Sequence, residues 1–166
     1  MSAPERYDPA PLIEALADAG VDFVLIGGLA GIAQGSAYPT YDLDVMYSRE
    51  RANLERLAVL LRRLGASLRG APKGLRFLLD ADTLENGGNF TFDTSYGALD
   101  ILAYPPGAPS YEDVRKAADE IDFAGRRVLV ASLDHLIAMK DAAERPKDRL
   151  MATEYRTLAD ERRSQS

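Results

Sequence analysis

Two stretches decide how this chain folds: Val21-Asp22-Phe23-Val24-Leu25-Ile26-Gly27-Gly28-Leu29-Ala30, and a little further on Tyr41-Asp42-Leu43-Asp44-Val45-Met46-Tyr47. In the first, Val21 to Ile26 is a short apolar run rich in β-formers and bounded by glycines, which predicts a buried strand. Gly27-Gly28 ends it, and Leu29 to Gln34 predicts a short helix stopped by Gly35. Two residues without side chains let a ligand come close to the backbone, and N–H groups at a helix start carry partial positive charge. A phosphate suits such a turn; a plain tight turn is the other reading. In the second stretch acidic and apolar residues alternate. Asp42 and Asp44 therefore share one face, expected to be wet, while Leu43 and Val45 point to the core.

Outward from these strands the pattern is mixed. Asp8-Pro9 predicts a helix start, with Leu12, Ile13, Leu16 and Ala19 on one face and Gly20 as its stop. From Arg49 to Leu64, Leu54, Leu57, Leu61 and Leu64 recur at helical spacing, with Arg49, Arg56 and Arg63 one heptad apart on the opposite side, and Gly65 closes the helix. After a polar loop at Asn86-Gly87-Gly88-Asn89, Phe90 to Phe92 and Ala98 to Tyr104 read as strands joined by a turn near Thr94 to Gly97. Asp100, between Leu99 and Ile101, is an acid in an otherwise apolar strand. Tyr111 to Ala118 predicts a helix, and Glu120 to Phe123 with Arg127 to Val130 a hairpin across Ala124-Gly125. Ser132 caps a helix running to Pro146, and the charged segment from Lys147 predicts a last helix with a frayed tail over 162–166. His135, the one histidine, is expected at the surface without a role. With no repeat and no linker, residues 1–166 read as a single α/β (α+β) domain, a mixed β-sheet flanked by helices.

Composition narrows the chemistry. A chain of 166 residues, 46% hydrophobic and 28% charged, has enough apolar material for a core without staples. The absence of cysteine removes disulfides, thiolate metal sites and thiol nucleophiles. Met1 to Tyr7 is short and polar, and no run approaches the roughly 18 apolar residues of a membrane span, so a cytoplasmic protein is expected. A net charge of −6 argues against indiscriminate coating of nucleic acid. One region runs the other way: Arg49, Arg51, Arg56, Arg62, Arg63, Arg69, Lys73 and Arg76 stand against two acids, a stripe that suits a polyanion such as tRNA or a solvated helix face.

If Asp100 lies beside Asp42 and Asp44 on neighbouring strands, three negative charges meet at roughly 5 Å, each pair costing about 3 kcal/mol at an effective dielectric near 20. Raised pKa values or a cation must relieve this. Carboxylates without His or Cys suit Mg²⁺ or Mn²⁺, ions that share their coordination with substrate phosphates. Dinucleotide binding is excluded, because the glycine spacing would need glycine at Ile26. Serine hydrolysis is excluded too, since no serine sits in a nucleophile elbow.

Ile26-Gly27-Gly28, thirteen intervening residues and Asp42-Leu43-Asp44-Val45 resemble the signature of the DNA polymerase beta-type nucleotidyltransferase superfamily, with Leu99-Asp100-Ile101 resembling its third acidic motif. More closely, Gly27-Gly28-Leu29-Ala30 through Gly35 and Thr40-Tyr41-Asp42-Leu43-Asp44 are similar to minimal bacterial nucleotidyltransferases related to AbiEii-type toxins. Ser132-Leu133-Asp134 through Lys140 and Arg145-Pro146-Lys147-Asp148 resemble that family's later motif. The resemblance implies a nucleotidyltransferase fold and metal-dependent transfer of a nucleoside monophosphate from a nucleoside triphosphate to a hydroxyl on RNA or protein, with an antitoxin as a partner. It implies Asp42, Asp44 and Asp100 as catalytic metal ligands, Asp100 doubling as base, and Gly27, Gly28, Thr40 and Lys140 as nucleotide contacts. Leu29, Gln34 and Tyr38 depart from residues of many relatives, a hydroxyl donor and a cation among them. They support the alternative of a nucleotide-binding or protein-interaction module with the same fold.

Overall fold

The computed structural model describes residues 7–72, 74–75, 77–123 and 125–166; expectations touching Met1 to Arg6, Lys73, Arg76 and Ala124 lie outside them. Along the chain run α1 (Ala10–Asp18), β1 (Phe23–Ile26), α2 (Gly27–Ala33), β2 (Leu43–Tyr47), α3 (Arg51–Arg63), β3 (Ser67–Leu68) and α4 (Ala81–Asn86). They are followed by β4 (Asn89–Thr94), β5 (Gly97–Leu102), α5 (Tyr111–Ala117), β6 (Asp119–Phe123), β7 (Arg126–Val130), α6 (Leu133–Ala143) and α7 (Pro146–Gln165). The strands form one sheet in the order β3-β4-β5-β2-β1-β7-β6. It is mixed as expected: β1 runs antiparallel to β2 but parallel to β7, and β2 runs parallel to β5.

All four residues of β1 are buried, so both faces of that strand are covered. Leu12, Ile13 and Leu16 of α1 and Leu54, Leu57 and Leu61 of α3 are buried at helical spacing, each worth roughly 1.5–3 kcal/mol in removed apolar surface. Helix starts follow side-chain chemistry. Ser132 Oγ accepts from the His135 N–H at 3.2 Å, and Ser110 Oγ accepts from the Asp113 N–H at the same distance.

Four expectations need correction. The face of β2 that carries Asp44 is not wet along its length, because Met46 on the same side is fully buried. Arg49 lies outside α3 and off its polar stripe. Its guanidinium donates to Tyr47 Oη at 2.9 Å and to the carbonyls of Leu84, Glu85 and Gly87 at 2.8, 2.7 and 3.0 Å, bolting the end of β2 to the last turn of α4. The 162–166 segment is no frayed tail: α7 continues to Gln165, and Arg162 donates to Gln34 Oε1 at 2.7 Å and to the Gln34 carbonyl at 2.8 Å. His135 is half-buried rather than superficial. Two elements were not expected at all, the two-residue β3 and the one-and-a-half-turn α4, whose start is capped by Asp80 accepting from the Thr83 N–H at 2.8 Å.

Candidate active site

Strand register brings the acids together. Ile26 pairs with Asp44 across the antiparallel β1–β2 ladder, and Asp44 pairs with Asp100 across the parallel β2–β5 ladder. The last residue of β1, and hence the glycine turn, therefore sits beside Asp44, and Asp44 sits beside Asp100. One carboxylate oxygen from each of Asp42, Asp44 and Asp100 lies within 4.8 Å of the others. Asp44 and Asp100 lie on strands as expected, Asp42 sits in the bend just before β2 rather than on it, and the structure makes the three neighbours.

The glycines serve this cluster in a way the sequence did not suggest. Gly27 has φ +70°, a left-handed conformation, and a β-carbon there would overlap Asp44 Oδ2. At Gly28 a β-carbon would meet Thr40 Oγ1 at 2.8 Å. The missing side chains thus make room first for the protein's own Asp44 and Thr40. Thr40 in turn donates from Oγ1 to Asp42 Oδ1 at 3.2 Å, which steadies the first acid.

Electrostatically the three acids are not alike. Burial, reinforced by the charges of Asp42 and Asp100, pushes the Asp44 carboxyl from 3.8 up to about 8, with Lys140 pulling the other way. Asp44 Oδ1 is enclosed and finds no hydrogen-bond partner among the described residues. Asp100 has a cation beside it: Arg69, in the turn after β3, donates to Asp100 Oδ1 and to the Phe92 carbonyl, both at 2.9 Å, and to Asp93 Oδ1 at 3.3 Å. Tyr7, its ring beside Gly97, feels the charge of the cluster. Burial and then Asp42, Asp44, Asp8 and Asp100 push its phenol up to about 12. Neither Arg69 nor Tyr7 was visible as a site neighbour, since neither lies in a periodic segment.

On the opposite flank a cavity of about 130 Å³ is lined by Gly27, Asp44, Pro105, Lys140, Arg145 and Asp148 among others. Lys140 of α6 is paired across to the following helix. Its Nζ lies 3.2 Å from Oδ1 of Asp148, a fully buried carboxylate that also accepts from Arg145 Nε at 2.7 Å. Burial alone would raise the Asp148 pKa, but hydrogen bonds from Arg145 and Lys140 outweigh it and hold the group below its ordinary value. Gln34 and Tyr38, which depart from the family pattern, have structural environments. Gln34 donates to Asp119 Oδ2 at 2.8 Å and to the Ala131 carbonyl at 3.0 Å, and Tyr38 packs against the core.

Part of the arginine stripe is engaged within the protein. Arg51 pairs with Glu55, Asp82 and Glu85, Arg56 approaches Asp22, and Arg62 donates to the Leu79 carbonyl. A polyanion would have to compete with these partners.

No family model matches the chain, and no curated protein matches it. Solved structures do. The lincosamide antibiotic adenylyltransferase LnuA, in its lincomycin-bound form, superposes with a TM-score of 0.59 at 13% identity, over 89% of this chain and 94% of that one. ANT(2'')-Ia in complex with adenylyl-2''-tobramycin gives 0.52 at 18% identity, over 93% and 94% of the two chains. A candidate nucleotidyltransferase from Thermotoga maritima gives 0.54 at 14%, over 91% and 92%. The chain has the nucleotidyltransferase fold. Among the described residues no helix is long and apolar enough to cross a membrane.

Proposed function

We propose that this protein is a metal-dependent nucleotidyltransferase that moves a nucleoside monophosphate from a nucleoside triphosphate to an acceptor hydroxyl. The observation that carries this reading is the meeting of Asp42, Asp44 and Asp100 within 4.8 Å, with one enclosed Asp44 oxygen left without a partner. Three hard oxygen donors and a pKa raised to about 8 describe a site that a divalent cation such as Mg²⁺ or Mn²⁺ would relieve, so the donor set fits the ion the fold implies. When bound there, such an ion polarises phosphate oxygens and neutralises charge as pyrophosphate leaves.

The remaining roles fall to the chain's own groups. Asp42 and Asp44 would hold the cation, and Thr40 fixes the orientation of Asp42. Asp100, its Oδ1 held by Arg69, offers its other oxygen to take the proton of the acceptor hydroxyl. Lys140, anchored by Asp148, faces the triphosphate from the far side of the small cavity, and the backbone at Gly27 and Gly28 borders it.

For the acceptor, the resemblance favours a hydroxyl on RNA or protein, in a cytoplasmic toxin restrained by an antitoxin. A small-molecule hydroxyl is the second reading, favoured by the neighbour named as a lincosamide antibiotic adenylyltransferase and bound to lincomycin, and by the one in complex with adenylyl-2''-tobramycin. The test incubates the protein with Mg²⁺ or Mn²⁺ and each α-labelled nucleoside triphosphate, offering total RNA, cell protein or a panel of polyhydroxylated small molecules, with Asp44→Asn in parallel. Label on one acceptor class, absent in the variant, is the expected result. Triphosphate binding without transfer to any class would replace the enzyme with a nucleotide-binding module.

A further inference from the structure

The third acid differs from the other two in what is bonded to it. Arg69 Nη2 lies 2.9 Å from Asp100 Oδ1, and the same guanidinium donates to the Phe92 carbonyl at 2.9 Å and to Asp93 Oδ1 at 3.3 Å. Three acceptors on two adjacent strands fix a planar group that carries its charge at every working pH. The side chain of Asp100 is 16% exposed and that of Arg69 35%, so water screens the pair only in part. The pair also stands to one side. Its partners are on β4 and β5, whereas the glycine turn follows β1 beyond β2, and Asp44 lines the cavity that holds Lys140 while Asp100 does not.

Clusters of carboxylates that work on phosphate esters often take two divalent ions roughly 3.5–4 Å apart, one beside the attacking oxygen and one beside the leaving oxygen. Such a pair is bridged by carboxylates that give one oxygen to each ion. Here two of the three acids are poorly placed to bridge. Oδ1 of Asp100 is taken by Arg69 and Oδ1 of Asp42 accepts from Thr40, so neither can serve two ions without giving up a bond it already has. Charge agrees with this. Three carboxylates beside one guanidinium leave two negative charges, which a single divalent ion cancels. A second ion on Asp100 would face the guanidinium at close range in a part-buried setting, where like charges repel strongly.

We infer that Arg69 is a positioning residue that takes the part of a second metal ion: it holds Asp100 on the acceptor side and limits the acidic cluster to one divalent cation, kept by Asp42 and Asp44. The inference rests on the nucleotidyltransferase reading and deepens it by fixing how many ions the site admits.

The test counts Mn²⁺ on the full-length protein by calorimetry and by electron paramagnetic resonance, with and without α,β-methylene ATP, a triphosphate that cannot be turned over. The parent protein is expected to bind one Mn²⁺ per chain in both conditions and to give the spectrum of an isolated ion. Arg69→Gln keeps a polar side chain but drops the charge. It is expected to take a second ion at least tenfold more tightly than the parent does, with spin coupling between the two. Arg69→Lys keeps the charge and should stay at one ion. A coupled pair of ions on the parent overturns the inference while the nucleotidyltransferase reading stands. So does a folded Arg69→Gln protein that still takes only one ion, or an Arg69→Lys protein that takes as many as Arg69→Gln. Absence of any Mn²⁺ binding by the parent in either condition overturns the reading itself, and the inference with it.

Discussion

Two carboxylates that line the same small cavity, Asp148 fully buried and Asp44 largely so, have opposite surroundings. Asp148, at the start of α7, has no exposed surface and two cations, Lys140 and Arg145, bonded to its oxygens. Asp44, on β2, has two other acids beside it, and one of its oxygens is enclosed without a partner. Burial is common to both; pairing separates them. A buried charge with its partners in place is part of the architecture, whereas a buried charge crowded by its own kind is held for something that arrives later. The pairing also gives Asp148 a purpose near the acids, since it anchors the lysine on the rim of the cavity that Asp44 shares.

Several measurements would sharpen or break this contrast. The largest difference is expected in activity: Asp44→Asn should lower nucleotidyl transfer by about 10³-fold or more, scored as label incorporated per unit time, because it removes a ligand charge. Asp148→Ala should produce the largest loss of stability, about 3–5 kcal/mol in urea unfolding, since Lys140 is left part-buried without its partner. If Asp148→Ala unfolds no more easily than the parent, the architectural half of the comparison is wrong.

The pH dependence of the metal-free protein follows from Asp44. Its carboxyl keeps a proton up to about 8 when folded but only to its ordinary 3.8 when unfolded, so the folded state binds more protons across that window. Stability should therefore fall as pH rises from about 4 to about 8, by on the order of a few kcal/mol. Millimolar Mg²⁺ should flatten the decline, and Asp44→Asn should remove most of it, both readable from unfolding midpoints measured across the range. Gly27→Ala should cost about 1–3 kcal/mol, from the left-handed backbone and the collision with Asp44, and should weaken Mg²⁺ binding by calorimetry. The smallest effect belongs to Arg69→Ala. Its guanidinium is about one-third exposed, so chemical denaturation should register about 1 kcal/mol or less, even though transfer slows.

Much of this contrast could be read from the chain, and what could not has physical reasons. Strand alternation showed that Asp42 and Asp44 share a face, and Asp100 stood out as the acid in an apolar strand. That the three meet depends on β2 pairing with β5 past the intervening β3 and β4, a long-range pairing that local pattern does not encode; only the family resemblance pointed to it. Arg49 was misread because heptad counting takes no account of where a helix begins, and α3 starts two residues later. Asp148 stood out only through the family resemblance. Its burial comes from the packing of α7 against α6, which sequence spacing does not reveal. Neither β3, two residues long, nor α4, six residues long, offers enough turns or alternations for a period to register.

Helix α2, which carries the glycine turn, is held from behind by α7. The Ser36 hydroxyl and the Ala37 N–H donate to Glu154, Tyr155 fills the space at Gly31 that a side chain would take, and Arg162 clasps the end of the helix at Gln34. These contacts join residues more than a hundred positions apart. During synthesis the ribosome has to release α7 before the bend beside Asp44 can acquire its final shape. A nascent chain arrested before that point would carry all three acids without a finished place to use them.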